Sequence, residues 1–419
     1  MPFNSPVLDA LFLFSVAVIW SMILYQLYLT ISGYRYRNQF PHPIDLPDPE
    51  TLPPVSILIP ARNEEIVIKK TIETMTRLDY PRNKLEIIII DDGSTDETAA
   101  VLKKAAANDS RIKPVLLPRA EIGSGKSHAL NTGIKSASHP YIAVYDADNN
   151  PEPQALKHLI SHLLADDKLA GVIGKFRTLN RRSNLLTRFI NIETLSFQWI
   201  LQAGRYHAFK VAILPGTNFI VRREVIEQCG GWDEMAITED AELSVRIYRE
   251  GWQLKFVPTA VTWEQEPESL GVWIRQRTRW VRGNNYVIKK FTRDALKLSN
   301  RFLFMEFLYL FILYYLFLGA IVTSHLLFIL CGLGVLSVTV PGPYTVVWLS
   351  AFVLFLLEIS LVLSYEDEDN PLNILTTALM YLTYCQLWLV VVFRGFFLDI
   401  TKKQMGIWDK TVRISIEND

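Results

Sequence analysis

VSILIPARNE, Val55 to Glu64, is an apolar β-rich run that breaks at a proline into a cluster of polar side chains. The same change recurs in EIIIIDDGS, Glu86 to Ser94, and in YIAVYDAD, Tyr141 to Asp148. With Ile112 to Leu117 these runs predict four short strands. The helical stretches between them, near Glu64 to Thr76, Asp96 to Ala107 and Ser127 to Ser136, give βα repeats of about 30 residues, the length of a βαβ unit. A mostly parallel, Rossmann-like α/β sheet is the expectation.

Ligands in such sheets sit beyond the carboxyl ends of the strands. Pro60, Arg62, Asn63 and Glu64 follow the first strand, Asp91, Asp92, Gly93 and Ser94 the second, and Asp146, Ala147 and Asp148 the fourth. Helix capping explains one such acid, at about 1 kcal/mol, without any ligand. It does not explain Asp146 and Asp148 together, because neighbouring carboxylates repel unless a cation or hydrogen-bond donors compensate. A divalent cation, Mg2+ or Mn2+, is the economical compensation, and such a hard oxygen-ligand site also holds a diphosphate.

Gly123 to Ser127 spells GSGKS, but a P-loop would need glycine where Ala120 stands, so a Walker motif is rejected. Lys126 then reads either as a point charge for a phosphate or as a solvated lysine at a helix start. Thr238, Glu239 and Asp240 precede the amphipathic segment Leu243 to Tyr248. Complementing the helix dipole accounts for that acidic start at about 0.3 to 1 kcal/mol. In QRTRW, Gln276 to Trp280, the spacing puts Gln276, Arg279 and Trp280 on one helix face. A surface Arg stacked on Trp is the bland reading; a diphosphate on Arg279 with a sugar ring against Trp280 is the functional one.

Lys plus Arg and Asp plus Glu number 43 each among 419 residues, which removes nucleic acid as a partner class. Ala10 to Tyr34 carries no charge and is long enough to cross the roughly 30 Å hydrocarbon layer. No basic stretch precedes it and no small-residue cleavage site follows, so it reads as a retained anchor. Arg35 and Arg37 just after it place the polar middle of the chain in the cytoplasm. The uncharged run Phe307 to Leu357 divides at Pro341, Gly342 and Pro343, and Pro371 to Phe393 follows the acidic tract Glu366 to Asp369. Three further spans are counted, and Phe307 to Val340 has room for an interfacial segment or a second crossing. Three C-terminal spans put the tail outside, whereas Arg394, Lys402, Lys403 and Lys410 argue for inside. Glu358, within the Tyr344 to Ser364 run, reads as a pore-lining residue or as a partnered structural one. Cys229, Cys331 and Cys385 show no metal spacing and read as reduced packing residues.

Taken in order, DDG (Asp91 to Gly93), DAD (Asp146 to Asp148), TED (Thr238 to Asp240) and QRTRW resemble the motifs of processive family 2 glycosyltransferases. That group contains the poly-N-acetylglucosamine, hyaluronan and cellulose synthases, and the chain looks most like the first. The similarity spans Val55 to Trp280 and takes in PGTNF, Pro215 to Phe219, with Arg222, Arg223, Gly230, Gly231 and Trp232. The resemblance implies an α/β GT-A domain in the cytosol, 50–290, between an N-terminal transmembrane anchor, 1–36, and C-terminal transmembrane helices, 300–396, with a tail, 397–419. It implies that Pro60, Arg62 and Glu64 frame the base and ribose of a UDP-sugar, that Asp92 contacts the uridine, and that Lys126 and Asp146 lie by the donor. Asp148, with Asp146, would hold the divalent metal. Asp240 would be the general base, and Glu239, Gln276, Arg279 and Trp280 would bind diphosphate and acceptor sugar. The activity implied is inverting transfer from a UDP-sugar, UDP-N-acetylglucosamine, to a growing polysaccharide by a multi-pass cell-membrane enzyme. An accessory membrane subunit is a further candidate partner. Transfer of one sugar to a lipid acceptor, and a non-catalytic nucleotide-sugar-binding membrane protein, are the competing readings.

Overall fold

The structure is a computed structural model that describes residues 2–40, 46–118, 125–295, 304, 308–309 and 311–401. After helix α1 (Pro6–Arg37), the chain alternates through β1 (Val55–Ala61), α2 (Ile68–Thr76), β2 (Leu85–Asp91), α3 (Thr98–Asn108), β3 (Ile112–Leu116), α4 (Lys126–Ser136) and β4 (Tyr141–Val144). β1 and β2 are apolar at nearly every position, so both of their faces need cover, and both strands are buried along their whole length. β1 pairs in parallel with β2 on one side and β4 on the other, and β3 extends the sheet from β2. The chain therefore winds outward to β3 and returns on the far side of β1. Strand order reverses between β1 and β4, and α/β sheets take ligands in the crevice at such a switch point. Pro60 and Ala61 lie inside β1, paired with Ile90 and Asp91, rather than after it as predicted.

The second half adds β5 (Asn150–Pro151), α5 (Ala155–Leu164), β6 (Leu169–Thr178), α6 (Leu185–Ser196), a π-helical stretch Phe197–Gly204 and α7 (Arg205–Phe209). Then come β7 (Phe219–Arg222), α8 (Arg223–Gln228), α9 (Glu239–Arg249), β8 (Gln253–Glu264) and α10 (Leu270–Ala295). β7 runs antiparallel to both β4 and β6, and the eight strands form one mixed sheet in the order β3-β2-β1-β4-β7-β6-β8-β5. Asn150 and Pro151 pair with Trp263 and Thr262, so the DAD turn is fastened between β4 and β8.

Helices Pro6–Arg37, Tyr315–Gly332 and Tyr344–Ser364 are long and apolar enough to cross a membrane. One end of this layer is tied by the N-terminus. Phe3 N–H donates to Val335 O (2.9 Å), Ser337 N–H to Phe3 O (2.9 Å) and Thr339 N–H to Asp9 Oδ1 (2.8 Å). The other end meets the α/β domain, where Tyr36 hydroxyl donates to Phe256 O on β8 (2.5 Å). Gly33 and Gly204 bring α1 and the π-helical stretch into backbone contact; a Cβ on either would collide with Trp199 O or Leu29 O.

The long run read as Phe307 to Val340 holds a π-helical stretch, Ile312–Phe317, and one α-helix, Leu318–Gly332; Phe307 lies outside the described residues. Beyond Gly334 the chain pairs with the N-terminus instead of turning into a second crossing. The last apolar run is a pair of helices, Pro371–Leu382 and Tyr384–Ile400, bent by 41°. It keeps contact with the α/β domain at its start, middle and end. Arg188 donates to Asn373 Oδ1 (3.1 Å), Trp388 Nε1 donates to Glu193 Oε1 (2.8 Å), and Arg282 pairs with Asp399 (2.6 Å). Gly123 and Ser124 of the rejected P-loop string, and Lys402, Lys403 and Lys410 of the tail, lie outside the described residues.

The acidic tract Glu366 to Asp369, read from sequence only as a boundary between spans, is plugged into the α/β domain. Lys175 Nζ donates to both Glu366 oxygens (2.6 and 2.8 Å), and Trp199 Nε1 donates to Glu366 Oε1 (2.8 Å). Arg177 and Asn191 each donate to Glu368 at 2.7 Å.

Candidate active site

The loops after β1 and β2 are laced together, which fixes the first group of predicted residues. Asn63 takes a left-handed conformation (φ 52°), its N–H donates to Ser94 Oγ (2.8 Å), and its Oδ1 accepts from Thr95 N–H (2.7 Å). Glu64 N–H donates to Thr98 Oγ1 (2.8 Å). Arg62 pairs with the fully buried Asp92 at 3.6 Å.

Across the switch point, Asp146 N–H donates to Asn149 Oδ1 and to Thr217 Oγ1, both at 3.0 Å, which orients the DAD turn. Asp148 is 4% exposed, and its Oδ2 accepts from Gln265 N–H (3.3 Å) just beyond β8. Lys126, at the first turn of α4, donates to Asp146 Oδ1 (2.7 Å) and Gly216 O (2.9 Å) and lies 3.5 Å from Glu239 Oε1. Burial opposes the Lys126 charge, but Asp146 and Glu239 outweigh it and hold the ammonium pKa above its ordinary value.

Asp240, in the first turn of α9, closes against the same lysine. Gly216 is left-handed (φ 89°) and has to stay small: a Cβ there would stand 3.2 Å from Asp240 Oδ2 and 3.4 Å from Lys126 Nζ. Burial pushes the Asp240 carboxyl up to about 7; neighbouring Glu239 adds to the rise and Lys126 opposes it. A carboxylate poised near neutrality, within reach of solvent through a cavity, suits a general base.

Pro60, Glu64, Lys126, Asp146, Asp148, Glu239, Asp240, Gln276, Arg279 and Trp280 all line one cavity of about 1610 Å³. That exceeds the roughly 300–1,000 Å³ of a small-molecule pocket and leaves room for an acceptor beside a donor. Arg62 and Asp92 lie outside its lining. The cavity continues between the apolar helices, where Ile23, Phe317, Phe355 and Glu358 are among its walls.

Residues that spacing did not single out hold the QRTRW face in place. Arg277 is 1% exposed, stacks on the Trp280 ring at 3.8 Å and pairs with Glu193 at 2.6 Å. Glu193 also accepts from Tyr384 hydroxyl (2.8 Å) and Trp388 Nε1 (2.8 Å). Arg277 stands three residues before Trp280 within QRTRW, an i,i+3 spacing that is its one signal in the sequence, and Glu193 has none.

The donor set available to a metal would be two carboxylates, Asp148 and Asp146, the second already sharing charge with Lys126. Among the described residues no group of three or more His, Cys, Asp or Glu converges as a metal site. This does not make a closed structural centre. It does fit Mg2+ or Mn2+, which bind through one or two carboxylates and leave the remaining positions to substrate phosphates and water.

A mixed sheet whose switch-point strand ends carry a DAD turn, facing an acidic helix start across one large cavity, defines a GT-A glycosyltransferase. The solved mannosyltransferase PcManGT from Pyrobaculum calidifontis, in complex with GDP-Man and Mn2+, has this fold: TM-score 0.61 at 20% identity, over 89% of this chain and 99% of that one. Residues 53–283 match the family described as Glycosyltransferase like family 2, and the chain belongs to that family. A probable glycosyltransferase, YdaM, of Bacillus subtilis (strain 168) is 43% identical over 411 residues, 97% of this chain and 98% of its own. The poly-beta-1,6-N-acetyl-D-glucosamine synthase of Staphylococcus aureus (strain COL) is 33% identical over 234 residues, 56% of this chain and 55% of its own. The protein is thus an enzyme, which sets aside a non-catalytic nucleotide-sugar-binding role.

Proposed function

We propose that the protein is a membrane-bound inverting glycosyltransferase that moves a sugar, N-acetylglucosamine, from its UDP donor to a growing polysaccharide. The observation that carries this reading is the single cavity lined by Asp148, Asp240 and Trp280 that continues between the apolar helices. Similarity to the staphylococcal synthase supports UDP-N-acetylglucosamine as the donor.

In this reading the donor diphosphate lies between Asp148 and Arg279, with the acceptor sugar ring against Trp280. Asp148, with Asp146, would hold a divalent cation, which would supply positive charge against the negative charge of the leaving diphosphate. Arg279 stabilises the same charge without proton transfer. The Asp240 carboxylate takes the acceptor hydroxyl proton; the acceptor oxygen bonds to the anomeric carbon as the bond to phosphate breaks and UDP departs. Lys126 ties Asp146, Glu239 and the Gly216 turn together, so donor-side and base-side elements keep one geometry.

The ends of the helices support a topology with the N-terminus outside and the α/β domain in the cytoplasm. The start of α1 and the link after Gly332 share the outer end, while Tyr36 and Glu366 meet the domain at the inner one. A helix pair that touches the domain at start, middle and end does not cross roughly 30 Å of hydrocarbon, so Pro371–Ile400 lies along the interface. Three crossings then leave the C-terminus inside, which reconciles it with Arg394 and the basic tail. Three crossing helices are few to enclose a hydrated glycan, and that is the place for an accessory membrane subunit.

One observation favours a second reading, a glycolipid synthase: Ile19, Ile23, Leu313 and Ile321 give the cavity's membrane side walls that fit a lipid chain. Product size separates the two, polymer in aqueous extract or single-sugar glycolipid in organic solvent.

UDP release from membranes is measured across a panel of UDP-sugars, with and without chelator. Release is expected with UDP-N-acetylglucosamine, lost to chelator and restored by Mn2+ or Mg2+. Undiminished release in chelator contradicts the role given to Asp148. The same assay yields a pH profile. Asp240 works as its carboxylate, so kcat/KM falls as pH drops through about 7 and reaches roughly a tenth of its plateau one unit below. A flat profile from pH 5 to 8 contradicts Asp240 as the base.

A further inference from the structure

Glu358 stands about 9 Å of helix rise before Ser364, in the inner half of the helix Tyr344–Ser364. An ionisable side chain inside a crossing helix is costly and persists where it faces protein or a ligand path. This one is 5% exposed, lines the cavity it shares with Asp240 and Trp280, and has its Oε1 buried with no hydrogen-bond partner among the described residues. Buried polar atoms are nearly always paired, so an orphaned carboxyl oxygen on a cavity wall points to a ligand that supplies the donor.

The surrounding wall narrows what that ligand is. Trp348, Phe355, Tyr381 and Trp388 present aromatic surface to the cavity, with Phe355 and Tyr381 rings 5.2 Å apart, and Ser324 and Gln386 add neutral polar groups. A carboxyl group brings no positive charge to a phosphate, so this wall does not favour a phospholipid headgroup or an anionic carrier lipid. Aromatic faces with scattered neutral hydrogen-bonding groups suit the C–H faces and hydroxyls of an uncharged saccharide.

We propose that Glu358 is a saccharide-binding residue of the acceptor path: its carboxyl accepts a hydrogen bond from a hydroxyl of the nascent glycan, behind the sugar being extended. The assignment rests on the polysaccharide reading above and adds to it a retention site within the membrane layer. Bound there, the chain stays engaged between additions, so the residue acts on product length and leaves the donor site alone.

The test uses the purified full chain in lipid nanodiscs with UDP-N-acetylglucosamine, comparing wild type, Glu358→Gln and Glu358→Leu for UDP release, product length and thermal midpoint. Glu358→Leu is expected to keep a wild-type or higher midpoint and the same KM for the donor. Its product shortens about five-fold, the equivalent of one hydrogen bond. Glu358→Gln, which still hydrogen-bonds, keeps most of the length. Wild-type product length in both variants overturns the assignment. A wild-type protein that builds no polymer, or attaches a single sugar to lipid, overturns instead the polysaccharide reading beneath it.

Discussion

Asp240→Asn is expected to bind UDP-sugar within about two-fold of wild type and to transfer it about 10² to 10⁴ times more slowly, the span that a positioned general base covers. The substitution is nearly isosteric, so the Gly216 turn and the α9 start keep their packing. Asn cannot take a proton, and the carboxylate next to it in the chain is engaged elsewhere. Glu239, its neighbour, is 7% exposed and turned to Lys126 at 3.5 Å. Binding is read by titrating UDP onto the purified protein and transfer by UDP release; a variant that turns over normally removes Asp240 from the mechanism.

Glu366→Leu is expected to cost about 3–5 kcal/mol of stability, the effect of breaking a buried pair from one side. Lys175 would lose both carboxylate contacts, and Trp199 Nε1 would lose its acceptor. Both partners are shielded, at 11% and 3% exposure, so solvent does not recover what is lost. The double variant Lys175→Met with Glu366→Leu recovers most of the deficit, since an apolar pair replaces the ionic one without an orphan charge. Denaturant midpoints in detergent for the two single variants and the double variant give the coupling energy. A single substitution costing under about 1 kcal/mol would show that the plug does not hold the domain on its helices.

What was legible in the sequence followed from local pattern. Runs such as Ile87 to Ile90 announce fully buried strands, and their polar successors mark the ligand edge, because both depend only on neighbours in the chain. The length of uncharged apolar runs also located the apolar helices. It could not show that Pro371–Ile400 keeps touching the domain, since a helix lying along protein and one lying in lipid carry similar apolar faces. Arg277 and Glu193 escaped for a related reason. Their pairing joins positions 84 apart, and one buried ion pair leaves no periodic trace. The acidic tract at Glu366 reads from sequence only as a boundary between spans because its counter-charges, Lys175 and Arg177, come from a strand 191 residues away. Resemblance to a family brought Asp92 and Asp148 forward alike, yet only Asp148 reaches the cavity wall.

The proposed mechanism divides the work between two carboxylates at one donor. The most direct measurement is calorimetric titration of UDP with Mn2+ present, run beside UDP release, for Asp148→Ala and Asp240→Asn. Asp148→Ala is expected to lose both binding and release, while Asp240→Asn keeps the binding heat and loses release. Equal binding heats from the two variants, or release surviving in Asp240→Asn, would contradict it.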